Sequence, residues 1–303
     1  MQPILRLGTR GSPLALVQAR LVATALREAH GWGPELIEIE PMTTAGDQLH
    51  NRPLADFGGK ALWTRELDLA LIEGRIDLAV HSMKDVETLR PSELAIAAML
   101  PRADVRDRLV GAPSLAALEK GARVGTSSPR RAAQLLARRP DLAILPFRGN
   151  VDTRLRKIDL GEVDATLLAA AGLERLGHPD IGFVVEDLLP APAQGAVGVE
   201  VRDGDRRVRA LVGAIDHRPT HLCVAAERRL LEGLGGSCRT PIAALALLDG
   251  EEIWLRAEIL SEDGRESERG EIRFAAGDDS APLHLARALL ERATPGLRMS
   301  FTP

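Results

Sequence analysis

Ile4-Leu5-Arg6-Leu7-Gly8-Thr9-Arg10-Gly11-Ser12-Pro13 reads as a buried strand, a glycine-flanked turn and the start of a helix. Serine before proline is a strong start signal. The serine side chain accepts from an otherwise unpaired N–H of the first turn, and proline at the first helical position loses nothing by lacking its own. Leu14, Val17 and Leu21 predict the buried face of that helix. The design returns at Val124-Gly125-Thr126-Ser127-Ser128-Pro129, with Arg130-Arg131 in the first turn and a helix through Gln134 and Leu135. Gly74-Arg75-Ile76-Asp77-Leu78-Ala79-Val80 and Gly161-Glu162-Val163-Asp164-Ala165-Thr166-Leu167 form a second echo, each a short apolar strand entered from a glycine that ends a helix. Two α/β domains of one design are implied.

Beyond about residue 218 the pattern changes. A helix over 220–233 leads through a glycine-rich loop to strands near 242–248, 253–260 and 269–274, with Asp249-Gly250 and Asp263-Gly264 as hairpin turns and a helix near 281–293. This predicts a small α+β domain with a three-stranded antiparallel sheet. The proline-rich segments near 100–104 and 189–195 fall between domain-sized blocks and read as paired hinge strands. A chain that crosses twice returns 196–217 to the first domain. The expected division is therefore 1–99 with 196–217, then 104–190, then 218–303.

At 303 residues the chain buries cores without disulfide staples. Two cysteines of unlike context, no secretory leader and no apolar run of spanning length predict a cytoplasmic protein without membrane partners. A net charge of −4 and 3% aromatic residues argue against a nucleic-acid partner. Lysine occurs only at 60, 84, 120 and 157, so all but four of the 39 basic residues are arginine. Biased base composition explains the number but not the placement of some.

In an α/β sheet, ligands gather where strand ends meet helix N-termini. Arg10, Arg130, Arg131 and Arg148 map to such turns, with Arg154 one helical turn on. Any one of them alone is equally well a solvated surface residue. Together they predict a cleft between the domains that binds a polyanion, because guanidinium adds bidentate, permanently charged donors to the free N–H groups of a helix start. The strand over 76–80 ends in His81-Ser82-Met83-Lys84-Asp85-Val86. Asp85 is a candidate acid, base or cation stabiliser, or the anion of a loop salt bridge, and surrounding positive charge favours its ionised form. His81, without a second ligand at metal spacing, reads as structural, and no metal site is expected. Cys238, in Leu234-Gly235-Gly236-Ser237-Cys238-Arg239-Thr240-Pro241, is a displayed thiol beside positive charge or a small filler in a turn. Cys223 shares a helix with Leu222, Ala226 and Leu230 and reads as core.

The segments Ala79–Asp85, Val124–Arg131, Arg148-Gly149-Asn150-Val151, Gln194-Gly195-Ala196 and Gly236-Ser237-Cys238, in this order, resemble the porphobilinogen deaminase (hydroxymethylbilane synthase) family over nearly the whole chain. The resemblance implies two domains similar to type II periplasmic binding proteins, a third small domain, and a dipyrromethane cofactor held by thioether to Cys238. It implies a transferase that condenses four porphobilinogen molecules head to tail, releasing four ammonia molecules and passing on linear hydroxymethylbilane in tetrapyrrole (porphyrin, heme) biosynthesis. Carried over by motif, Arg10, Ser12, Lys84, Thr126, Ser127, Ser128, Arg130, Arg131, Arg148, Gly149, Arg154, Arg175 and Gln194 bind cofactor and substrate. Asp85 holds pyrrole N–H groups and stabilises the cationic azafulvene formed as ammonia leaves. A monomer is expected. Asp56, Glu87, Pro129, Ala193 and Ser237 depart from the family pattern: Asp56 puts a basic lid residue in doubt, and Ala193 in place of glycine is expected to stiffen a hinge. Two rivals are an anion-binding receptor on the same scaffold, which lacks a covalent chromophore, and a cofactor-free cysteine enzyme, whose nearest base along the chain is His221.

Overall fold

The computed structural model describes residues 4–43, 64–236 and 240–301. Cys238, with its neighbours Ser237 and Arg239, and Asp56, with the loop over 48–59, lie outside them. In chain order the elements are β1 (Leu5–Arg10), α1 (Pro13–His30), β2 (Ile37–Met42), α2 (Arg65–Ile72), β3 (Leu78–Ser82), β4 (Leu94–Met99), β5 (Asp107–Val110), β6 (Arg123–Gly125), α3 (Pro129–Arg138), β7 (Ala143–Leu145), α4 (Val151–Asp159), β8 (Ala165–Ala169), α5 (Ala170–Arg175), β9 (Phe183–Val185), β10 (Val197–Arg202), α6 (Arg206–Gly213), α7 (Arg218–Gly233), β11 (Ile242–Asp249), β12 (Glu252–Leu260), β13 (Ser267–Ala275), α8 (Ala281–Arg292) and α9 (Pro295–Met299). They form two compact units, one from the described residues of Met1–Arg102 and Ala196–His221, the other from those of Ala103–Gly195 and Leu222–Pro303.

The first unit holds a five-stranded sheet of order β2-β1-β3-β10-β4, in which β10 alone runs against its neighbours. Leu5, Leu7, Leu78, Val80, Val197, Val199 and Val201 pack under α1 and α6, while Leu67, Ala70 and Leu71 of α2 cover Ala79 on the other face. Burial on both faces explains why these strands are apolar runs instead of alternating sequences. The face expected for α1 is wrong. Leu21 is 43% exposed, and the buried stripe is Ala15, Gln18, Ala19, Val22, Ala23 and Leu26. The residues at 15, 19 and 23 are alanines, small enough to seat the helix close on the sheet, whereas the larger Leu14 and Val17 sit only half-buried beside that stripe.

The second unit repeats the design with the order β7-β6-β8-β5-β9, β5 being the antiparallel strand. Each sheet thus takes its antiparallel strand from the segment by which the chain enters or re-enters that unit. The same unit carries the three-stranded antiparallel sheet β11-β12-β13, closed by turns with Gly250 at φ 63° and Gly264 at φ 70° and packed on α7, α8 and α9. Cys223 of α7 lies in that core with Ala226 and Leu230. The mixed α/β class with a small C-terminal antiparallel sheet is as the sequence predicts. The proline-rich segments are not regular strands, yet their backbones pair: Leu100 N–H donates to Val197 O (3.0 Å) and Ala103 N–H to Gly195 O (3.3 Å). Gly195 has φ 84°, and a Cβ there would lie 2.6 Å from Ala103 O.

Candidate active site

In the first unit the strand ends converge as expected. Ser12 caps α1, its Oγ accepting from Ala15 N (3.3 Å), and places Arg10 at the end of β1. β3 runs into a single 3-10 turn, Met83–Asp85. Met83 anchors that turn: its N–H donates to Ala196 O (3.1 Å), and its sulfur fills the space where a Cβ on Gly198 would stand. With Met83 buried, Lys84 and Asp85 remain partly exposed. Arg10 Nη1 lies 3.9 Å from Asp85 Oδ2, and Asp85 is 39% exposed, so the pair is loose and solvated. A pocket of about 60 Å³ is bounded by Arg10, Ser12, Gln18, His81, Ser82 and Asp85. Gln18 and Ser82 exchange hydrogen bonds of 2.8 and 2.9 Å across its floor.

Behind the pocket lies a charged cluster. The Glu200 carboxylate, fully buried on β10, accepts from Arg90 through both oxygens (2.8 and 2.9 Å) and from His81 Nε2 at 3.0 Å. Burial pushes Glu200 up, but His81 and Arg90 outweigh it and hold the acid near a pKa of about 2. Arg90 also binds Asp68 (2.5 Å) and Glu87 (2.8 Å). Asp68, for which burial dominates, is shifted up. Glu87 bonds Thr64 as well (2.8 Å), which gives this departure from the family pattern a local reason.

In the second unit Ser128 caps α3, with Oγ 3.4 Å from Arg131 N, and Pro129 occupies the first helical position, where its missing N–H is harmless. Arg130 and Arg131 are 3% and 6% exposed, not displayed at a helix start. Both reach Asp107 at the start of β5, at 2.8 and 2.7 Å, and Gln194 Nε2 donates to the same carboxylate at 2.9 Å. Burial favours the neutral form of Asp107, yet Arg130 and Arg131 hold it well below the usual carboxylate range. Burial lowers Arg130 despite Asp107. Among the described residues the two guanidinia thus share one directly bonded carboxylate, and Nε of each is buried without a hydrogen-bond partner.

Ser127 donates to Phe147 O (3.0 Å) and accepts from Phe147 N (3.1 Å), tying the β6 turn to the loop that carries Arg148. Thr126 Oγ1 accepts from Ser128 N (3.1 Å). Gly149, at φ 124°, leaves no room for a Cβ beside Thr153, and Arg154 Nε donates to its carbonyl (2.9 Å). Arg175, lowered by burial, donates to Gly195 O (2.8 Å) next to Gln194. Arg10, Ser12, Lys84 and Asp85 therefore gather in one unit. Arg130, Arg131, Arg175 and Gln194, with the Ser127–Arg148–Arg154 group, gather in the other. Sequence reasoning missed Gln18, Asp107, Gln134, Glu200 and Glu258. Gln18 has a local signal, a polar residue inside the Ala15, Ala19, Val22 stripe; the others have none.

Two family models match the chain. Residues 5–210 match "Porphobilinogen deaminase, dipyromethane cofactor binding domain", and residues 221–291 match "Porphobilinogen deaminase, C-terminal domain". The chain belongs to the porphobilinogen deaminase family. The porphobilinogen deaminase of Sphingopyxis alaskensis is 55% identical over 305 residues, covering 98% of this chain and 96% of that protein. That of Paracoccus denitrificans is 50% identical over 282 residues, covering 91% and 90%. Among solved structures, the Bordetella pertussis BvgS VFT2 domain double mutant is 16% identical with a TM-score of 0.42, covering 69% of this chain and 84% of that one. An arginine-specific periplasmic binding protein of Salmonella typhimurium is 14% identical with a TM-score of 0.41, covering 73% and 94%.

Proposed function

We propose that this chain is a hydroxymethylbilane-forming transferase: it condenses four porphobilinogen molecules head to tail on a dipyrromethane tethered to Cys238, releases four ammonia molecules, and serves tetrapyrrole biosynthesis. The observation that carries this reading is the match of both deaminase family models onto a chain whose strand ends hold Asp85 and the arginines. The donor chemistry of the second unit suits a dipyrromethane, each ring of which carries carboxylates. Among the described residues, Arg130 and Arg131 have one directly bonded counter-carboxylate between them and two buried N–H groups without acceptors. A carboxylate there would supply both the missing charge and the missing acceptors. When bound, the cofactor supplies the pyrrole carbon from which the product grows.

The chain's own residues then divide the work. Arg130, Arg131, Arg148, Arg154 and Arg175 hold carboxylates. Ser12 and Ser128 accept a backbone N–H through Oγ and keep their hydroxyl protons to donate to a ligand. Ser127 acts by fixing the Arg148 loop, since its proton goes to Phe147 O. Arg10 and Lys84 bind the incoming carboxylates beside Asp85. The Asp85 carboxylate accepts pyrrole N–H bonds and opposes the positive charge that develops as ammonia leaves, which lowers the barrier because that charge is absent from the ground state. We place the protein in the cytoplasm as a monomer of three functional parts, the C-terminal sheet forming the third, without nucleic-acid or membrane partners. No helix among the described residues is long and apolar enough to cross a membrane.

Asp85→Asn tests the assignment. Measured as single-turnover ammonia release on cofactor-loaded enzyme, turnover should fall at least about a hundredfold, ~2.7 kcal/mol of transition-state stabilisation, with cofactor retained. Asp85→Glu should keep part of the activity. An asparagine variant within threefold of the unsubstituted enzyme would sink the role given to Asp85.

A further inference from the structure

Glu258 is an acid in an unexpected place. On β12 the residues Ile253, Leu255, Ala257 and Ile259 face the C-terminal core, so Glu258 lies on the opposite face, yet it is only 1% exposed. Helix α3 covers it there. The β12–β13 turn is seated on that helix, with the position of a Cβ on Gly264 only 2.4 Å from Ala133 O and 2.6 Å from Ala137 N. Glu258 Oε2 accepts from Gln134 Nε2 (2.7 Å), and Oε1 accepts from Arg269 at 2.6–2.7 Å. Gln134, fully buried, turns its Oε1 to Arg130 Nη1 (3.0 Å), and both side chains donate to Leu189 O (3.1 and 3.0 Å). Arg130 Nη2 goes to Asp107.

The chemistry of this chain of bonds admits one orientation. An ionised carboxylate only accepts and a guanidinium only donates, so an amide between them must give its NH₂ to Glu258 and its carbonyl to Arg130. Glu258 thereby fixes the amide of Gln134, and Gln134 and Leu189 take both Nη1 protons of Arg130 while Asp107 takes one from Nη2. The Nε–H of Arg130 is buried with no acceptor among the described residues.

We infer that Glu258 and Gln134 are positioning residues that hold Arg130 for the cofactor's carboxylate and so make cofactor retention depend on the C-terminal sheet. This rests on the assignment of Arg130 to the cofactor. The test reads the fraction of full-length chains carrying the covalent adduct by intact mass under denaturing conditions, and involves no activity measurement. Gln134→Met, similar in shape but without donor or acceptor, should lower that fraction about tenfold, the loss of one charge-assisted hydrogen bond. Glu258→Gln should stay within twofold, because its amide oxygen can still accept from Gln134 while Arg269, 61% exposed, turns from the new NH₂ to water. Gln134→Glu alone sets two carboxylates together and should lose the adduct, whereas the exchange Gln134→Glu with Glu258→Gln removes that repulsion, keeps an acceptor beside Arg130 and should recover it. If Gln134→Met proves insoluble, recovery by the exchange decides. Full loading of Gln134→Met, or no recovery by the exchange, overturns the inference while leaving the cofactor site intact, provided Arg130→Leu is apo. Full loading of Arg130→Leu removes the cofactor assignment and the inference with it.

Discussion

Asp107→Asn removes an acid bonded to both Arg130 and Arg131 without changing its shape. The carboxylate accepts from both guanidinia and from Gln194, at 2.7–2.9 Å, with Asp107 1% exposed. An amide in its place accepts through one atom and turns NH₂ toward at least one guanidinium, so a donor faces a donor and two buried cations lose their shared counter-charge. Removing one partner of a buried ion pair costs about 3–5 kcal/mol. For a cooperative unit of this size each kcal/mol moves the midpoint by roughly 2–4 °C, giving a fall of about 6–20 °C. Calorimetry on cofactor-free protein measures it. The pH dependence has a definite sign: a carboxyl held below its usual value stabilises the fold above about pH 4–5 and loses that contribution as pH falls, so the gap between Asp107→Asn and the unsubstituted protein should narrow on acidification. A variant that melts within 2 °C of the unsubstituted protein at pH 7 would refute the role of Asp107 as the hub of this cluster.

Glu200→Gln should behave similarly in the first unit. With Glu200 at a pKa of about 2 against an ordinary value of 4.5, its stabilisation is present at pH 7 and lost as pH falls, so the free-energy gap to the variant in urea titrations should shrink by about 2 kcal/mol between pH 7 and pH 3. Asp68, shifted the other way, gains a proton early on acidification and offsets part of the acid loss, less so in Glu200→Gln, where the Glu200 charge that helps to raise it is gone. Ala193 is the one non-glycine with positive φ among the described residues, at 61° and 2% exposed. Ala193→Gly exchanges a left-handed penalty of about 1–2 kcal/mol for lost burial and added chain entropy, and should leave the melting point nearly unchanged. Ala257→Gly, equally buried in β12, lacks that relief and should melt several degrees lower. Equal losses in the two variants would show that Ala193 carries no strain.

Local chemistry made much of this architecture legible. Ser12-Pro13 and Ser128-Pro129 announce their helices because capping is decided within four residues, and the C-terminal hairpins follow from Asp-Gly pairs at turns that require positive φ. The Asp85 turn was legible for the same reason, a polar run at the end of an apolar strand. Long-range pairing was not. Asp107 and Arg130 are 23 positions apart, Gln134 and Glu258 are 124 apart, and no spacing rule relates them. The same blindness left the burial of Arg130 and Arg131 unread, and it assigned the face of α1 to Leu14, Val17 and Leu21 where alanines sit on the sheet.

Attachment of a dipyrromethane at Cys238 is most directly tested by intact mass of the denatured protein, followed by peptide mapping of the adduct. The mass should exceed that of the chain by two deaminated porphobilinogen units, on the peptide containing Cys238, with Cys223 unmodified and Cys238→Ser devoid of adduct. A chain of unmodified mass that nevertheless forms hydroxymethylbilane, or an adduct on Cys223 that survives in Cys238→Ser, would contradict it.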